Sequence, residues 1–368
     1  LREMLYSPLT VVIGRQAFSY GNSLIVASGG IGGTDSGLNA VAGDLSEQEA
    51  ANAIRAILDY DPLKIEFLYS KIDENDAIFA EGPAANDDVD LYGLNASYEL
   101  GDKMKTVVES YVFAKIDKEA GKHSTVQDDK PDTVYTPGIR FSTNPLEDLS
   151  LSVEYAHQFG NRSGTTAANQ QERDANAVQI LTSYALPDKV LPGKLKEFKP
   201  VLGYEFTYAS GDQDGQAVNN ANQSSKEKWT GWDPMYENQA GGKIYNAIFN
   251  QTNMYVNTVS LTVNPMEDLM TKLSFSKLYL NQELHPSDAQ GNFTLNQPDG
   301  QGAATLNVQS REQSLGWEVD LETLYDYTED VQFGLNLGLY NPGNGLFDTE
   351  SRIASSAQQA LLNVKVNF

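Results

Sequence analysis

The sequence predicts an all-β fold, an antiparallel transmembrane β-barrel in a single domain spanning 1–368, and three observations lead there. The closing residues alternate between an apolar face and a mostly polar one. Short and long connections alternate along the chain, with the short ones all on one side. No run of about 18 apolar residues occurs, so a membrane-spanning helix is excluded while spanning strands are not.

The first observation sits at the end of the chain. Ala360, Leu362, Val364, Val366 and Phe368 fall on one face of an extended strand, and Leu361, Asn363, Lys365 and Asn367 on the other. A terminal strand with this pattern suits the closure of a cylinder.

Taken in order, the other elements follow the same period. Thr10 to Ile13 is a β-branched run ending in Gly14-Arg15-Gln16, and a Gly/Ser/Asp-rich loop runs from about 21 to 49. Strands are expected near 51–60 and 63–73, joined by Asp61-Pro62; in the second, Lys64, Glu66, Leu68 and Ser70 share a face. Strands near 88–100 and 103–117 meet at Gly101-Asp102, a tight-turn dipeptide. The pair near 133–143 and 149–160 is joined by Asn144-Pro145-Leu146-Glu147-Asp148. Strands near 174–186 and 199–210 flank a connector with Pro and Lys, and the longest loop, about 211–252, follows. The pair near 253–264 and 269–281 has an almost identical turn, Asn264-Pro265-Met266-Glu267-Asp268. A Gly/Gln/Asn loop reaches about 312, strands near 314–325 and 331–340 meet at 326–330, and a last loop leads into the closing strand. About fourteen strands result, and each short turn lies on the side of the C-terminus, as periplasmic turns do in outer-membrane barrels.

Composition narrows the function. A net charge of -24, from 26 basic and 50 acidic residues, argues against nucleic acid as a partner. The mean hydropathy of -0.41 is compatible with a barrel, which is apolar only on alternate residues. Nineteen Tyr suit aromatic girdles at lipid interfaces, and lipid and lipopolysaccharide are the expected surroundings. The absence of Cys removes disulfides and thiolate chemistry. Leu1 opens in mid-pattern, so the chain is expected to be a mature or truncated piece.

Six segments in order make the chain resemble the alginate-export family of outer-membrane β-barrel porins. They are Gly14-Arg15-Gln16 with Tyr20-Gly21, the segment from Glu154 to Gly160, and Tyr208-Ala209-Ser210-Gly211-Asp212. Trp232-Asp233-Pro234-Met235-Tyr236, the segment from Gly316 to Asp320, and Pro342-Gly343 complete the set. The resemblance implies a barrel of about 18 strands around an aqueous channel, with three strands and most of a fourth preceding Leu1. A conduit for a polyanion should be lined with Arg and Lys. Here the predicted lining is mixed: Arg15, Arg55, Lys64, Arg140, Lys272 and also Lys105 and Lys365, with Gln158, stand beside Glu66, Glu154, Glu205, Glu318, Asp320, Glu322 and also Asp59 and Glu109. The resemblance therefore supports the channel class and not alginate as cargo.

Catalysis has little to draw on. His123, His157 and His285 are scattered, no Ser lies in a nucleophile elbow, and no spacing suggests a metal cluster, so neither enzyme, metal nor cofactor is expected. Glu318, Asp320 and Glu322 form a column of carboxylates, readable as a cation-attracting stripe or as a face paired with neighbouring Arg or Lys. Trp229, Trp232, Asp233 and Tyr236 in the longest loop are candidates for a segment folding into the mouth and narrowing it. Asp73, Glu74, Asp76, Glu81, Asp87 and Asp88 form an acidic loop that could take divalent cations at the lipopolysaccharide surface. Two function classes follow: a passive channel for hydrophilic solutes or an exopolysaccharide, with a preference for cations, and a sheath that docks a periplasmic partner protein such as an electron-transfer cytochrome. No haem-attachment motif is present, so redox chemistry would belong to that partner.

Overall fold

A computed structural model of the chain describes residues 8–34, 50–72, 89–118, 131–162, 171–212, 228–239, 241–282, 292–295, 304–307, 313–344 and 355–366. The acidic loop with Asp73 to Asp88 and the terminal Phe368 lie outside them.

Fourteen strands form one antiparallel sheet in which each pairs with the next along the chain. They are β1 (Leu9–Gln16), β2 (Ala51–Asp59), β3 (Leu63–Ile72), β4 (Val89–Glu99), β5 (Val107–Asp117), β6 (Asp132–Leu146) and β7 (Leu149–Arg162). Then come β8 (Gln171–Ala185), β9 (Val201–Ala209), β10 (Met254–Met266) and β11 (Leu269–Leu280). A separate hairpin, β12 (Asn292–Leu295) with β13 (Ala304–Asn307), interrupts the series before β14 (Ser314–Asp326), β15 (Val331–Pro342) and β16 (Ala357–Val366). β1 and β16 are the two edges of the sheet.

Register is set by the alternation of side chains, because a slip of one residue would exchange the two faces. In the outer face Tyr204, Val259, Phe275, Val319 and Leu339 align across five adjacent strands. Phe67, Leu94 and Val112 do the same across β3, β4 and β5, and all three are about half exposed. Aromatic pairs mark both ends of this apolar band. Tyr69–Tyr92, Tyr135–Phe159 and Tyr255–Tyr279 have centroids 5.0–5.3 Å apart on the long-loop side, and Tyr327 meets Phe333 at 5.9 Å on the turn side. A continuous exposed apolar band of this extent requires lipid.

Turns depart from expectation in three places. β5 begins at Val107 rather than 103, because Asp102 accepts bonds from both the backbone N–H (2.8 Å) and the hydroxyl (2.7 Å) of Thr106 and holds a wider turn. These bonds keep its carboxyl below the usual range. The β8–β9 connection carries a 3-10 turn, Gly193–Phe198. The Gly/Gln/Asn loop contains the β12–β13 hairpin, whose weak alternation hid it.

Candidate functional site: a filled inner face

The inner face is defined by the opposite set of side chains. Arg55 faces Leu68, Glu66 faces Asn95, Glu109 faces Arg140, Arg140 faces Glu154, and Glu154 faces Gln179. Lys272 faces Glu322, with Asp320 and Glu318 further along β14. Glu66, Glu154 and Glu318 are nevertheless buried, at 3%, 0% and 0% exposure. Two inserted segments cover them.

The first is residues 17–34, between β1 and β2. Its apolar run Leu24-Ile25-Val26-Ala27 is buried and leads into a short helix, α1 (Ser28–Thr34). The second comprises residues 228–239 and 241–252, between β9 and β10, with one helical turn, α2 (Tyr245–Ile248). The segments pair with each other: Val26 and Tyr236 form a parallel bridge, Ala27 N–H donates to Tyr236 O (3.0 Å) and Tyr236 N–H to Ile25 O (3.0 Å). Gln239 Nε2 donates to Asn22 O (2.6 Å). They behave as one body because unpaired backbone groups buried there would cost free energy.

Wall carboxylates hold this body. Tyr20 OH donates to Glu66, which also binds Arg55 at 2.6 Å and lies 3.6 Å from Lys64. Gly21 N–H donates to Glu109 (3.0 Å), whose other oxygen takes Arg140 at 2.8 Å. Glu154 accepts the Asn22 N–H (2.6 Å) and Tyr111 OH (2.5 Å). Gly21 has φ +58° and a Cβ there would lie 2.3 Å from Glu154 Oε1, so the turn requires glycine. Glu318 accepts two successive N–H groups, Ile244 (2.8 Å) and Tyr245 (2.7 Å), and Glu322 meets Lys243 at 3.4 Å.

The second segment is clamped at Asp233. Gln158 exchanges two hydrogen bonds with its backbone (2.7 and 2.8 Å), and Lys115 and Arg173 lie 3.6 and 3.9 Å from its carboxylate. Burial pushes the Asp233 carboxyl up, but these two cations win and hold it below the ordinary range. Trp232 and Tyr236 are buried against the wall, and Arg162 stacks 3.6 Å over the Trp229 ring.

The predicted residues sort accordingly. Arg55, Lys64, Glu66, Arg140, Glu154, Gln158, Glu205, Lys272, Glu318, Asp320 and Glu322 share the inner face. Arg15 does not: it pairs with Asn52 and lies on the outer face with Ile13, because Gln16 takes the inner position. Lys105 sits in the β4–β5 turn, outside the strands. Trp229, Trp232, Asp233 and Tyr236 come together on the inserted body. Sequence reasoning missed residues 17–34, Lys243, Tyr245, Lys115 and Arg173. The apolar Leu24–Ala27 run inside a polar segment was the available signal. Among the described residues no group of three or more His, Asp or Glu converges on a metal position.

A family model described as alginate export matches residues 85–359, about three-quarters of the chain. The chain belongs to the alginate-export family. As a family member it is an outer-membrane β-barrel of the channel-forming transport class. Among solved structures it is similar to the outer membrane protein OprD from Pseudomonas aeruginosa, with 10% identity, a TM-score of 0.48, and coverage of 97% of this chain and 75% of that one. A ferric enterobactin receptor (PfeA) mutant from the same organism has 9% identity and a TM-score of 0.41 over 92% and 44% of the two chains. The toluene transporter TodX of Pseudomonas putida has 10% identity and a TM-score of 0.28 over 79% and 75%. Among curated proteins none matches.

Proposed function

We propose that this alginate-export family barrel is a passive channel for hydrophilic solutes, narrowed by the inserted body. The observation that carries it is the division of faces: an apolar outer band, and an inner face of charged and amide side chains tied to two inserted segments. A polar wall lowers the cost of moving a hydrated solute, and inserted segments set the width of the path. The expected cargo is small and cationic or neutral, because the assigned inner-face carboxylates outnumber the basic groups. Export of an anionic exopolysaccharide is a second reading, supported by the family match alone. Single-channel recording of the purified protein with ion substitution tests both. Weak cation preference with small conductance is expected. Anion selectivity would move the polysaccharide reading to first place, and no conductance with intact barrels would sink the passive channel.

A further inference from the structure

The column Glu318, Asp320 and Glu322 is unevenly served. Glu322 has Lys243, and both oxygens of Glu318 receive backbone N–H groups. Asp320 is 4% exposed, its carboxyl lies within reach of the Glu318 carboxyl and beside the backbone N–H of Lys243, and neither of its oxygens makes a well-aligned hydrogen bond among the described residues. One strand over, on β15, Asn336 is 8% exposed and its carbonyl oxygen Oδ1 is likewise buried without a partner. Asn336 stands opposite Glu322 and Gly338 opposite Asp320, which puts the amide diagonal to the Asp320 carboxylate. On the other flank Ser274, also buried, is the register partner of Asp320.

A buried carboxylate without a well-formed hydrogen bond is costly unless its charge is balanced. Three carboxyl groups face one ammonium, Lys243, so the Glu318–Asp320 pair needs a further positive charge, a cation or a proton, between its oxygens. Lys272, opposite Glu322, also faces Glu205, which it serves in turn. The groups left over are carboxylate, amide and hydroxyl oxygens of protein side chains, hard donors that calcium takes directly, whereas magnesium keeps several of its waters and a thiophilic metal prefers sulfur.

We propose that the inner wall at β11, β14 and β15 binds one divalent hard cation, calcium, on the carboxylates of Asp320 and Glu318, with Asn336 and Ser274 oxygens completing the shell. Because Glu318 also grips Ile244 and Tyr245, the ion would fasten the second inserted segment to the wall. Nothing in this depends on which solute the barrel carries.

The test is calcium titration of the purified, detergent-solubilised chain after chelator stripping, read by isothermal calorimetry, with heat-modifiable gel mobility certifying the barrel. Other carboxylates of the chain add weak sites at high calcium, so the decisive quantity is a difference between proteins. The expected result is one calcium fewer in Asp320→Asn than in the parent, an affinity at least about tenfold weaker in Asn336→Leu, and no change in Glu205→Gln. Equal stoichiometry in the parent and Asp320→Asn overturns the site. Folded parent that binds no calcium also overturns it, and leaves a proton shared by Glu318 and Asp320 as the balancing charge. If Asp320→Asn does not fold, Asn336→Leu decides alone, and unchanged binding there refutes the proposal.

Discussion

At the scale of single residues, the inner-face glutamates act as acceptors for backbone N–H groups of another segment. Glu318 is the sharpest case, with two bonds at 2.8 and 2.7 Å and no exposed surface. Glu318→Gln keeps one acceptor and turns an amide donor toward a donor. Loss of a charged hydrogen bond costs about 1.5–3 kcal/mol. The second segment should loosen, and trypsin should cut after Lys243 roughly tenfold faster or more. Gly21→Ala should unseat the first segment through both its φ of +58° and the contact with Glu154, visible as higher conductance with the barrel intact. Glu237 makes the seating depend on pH. Burial pushes its carboxyl up to about 7 from an ordinary 4.5, against the Gln239 N–H it accepts at 2.8 Å. The seated form therefore binds more protons between those two values, so seating strengthens as pH falls from 7 towards 4.5 and does not change further below. Open probability in planar bilayers should be lower at pH 5 than at pH 8, and Glu237→Gln should shrink the difference.

At the scale of elements, the side of each connection follows from counting strands, since neighbours in an antiparallel meander reverse direction. The turns 60–62, 100–106, 147–148, 186–200, 267–268 and 327–330 therefore share one side, and the inserted segments enter from the other. An epitope tag between Glu147 and Asp148 should be silent to antibody on intact cells, while one between 163 and 170 should be labelled; the reverse pattern would invert the topology. Strand existence was legible because a half-buried strand has a period of two and its turns are rich in Asn, Asp, Gly and Pro. Boundaries were less so. Asp102 shifts the start of β5 through side-chain bonds to Thr106, a local competition that hydrophobic alternation does not register.

At the scale of the whole molecule, the inner face is a joint between wall and inserted body rather than an open charged tube. Removing residues 232–249 should raise single-channel conductance several-fold without loss of heat-modifiable barrel. Unchanged conductance would show that the inserted body does not limit the path. Cation preference should be weak in the parent and fade further at 1 M salt, where the Debye length is about 3 Å. Changing Glu318, Asp320 and Glu322 together should act through the insert, altering conductance more than reversal potential.

The sequence by itself determined the all-β class, the fourteen-strand meander, the side of each turn and the face of nearly every charged strand residue. These rest on local chemistry: side chains alternate along a strand, and Glu318, Asp320 and Glu322 cannot share a face unless the alternation holds throughout. Tertiary structure alone decided what those charges do. Asn22 reaches Glu154 and Tyr245 reaches Glu318 from 132 and 73 residues away, and a carboxylate that accepts a backbone N–H has no preferred sequence beside it. The donor is the peptide group, which every residue except proline carries, so nothing in the amino-acid alphabet marks its partner in advance.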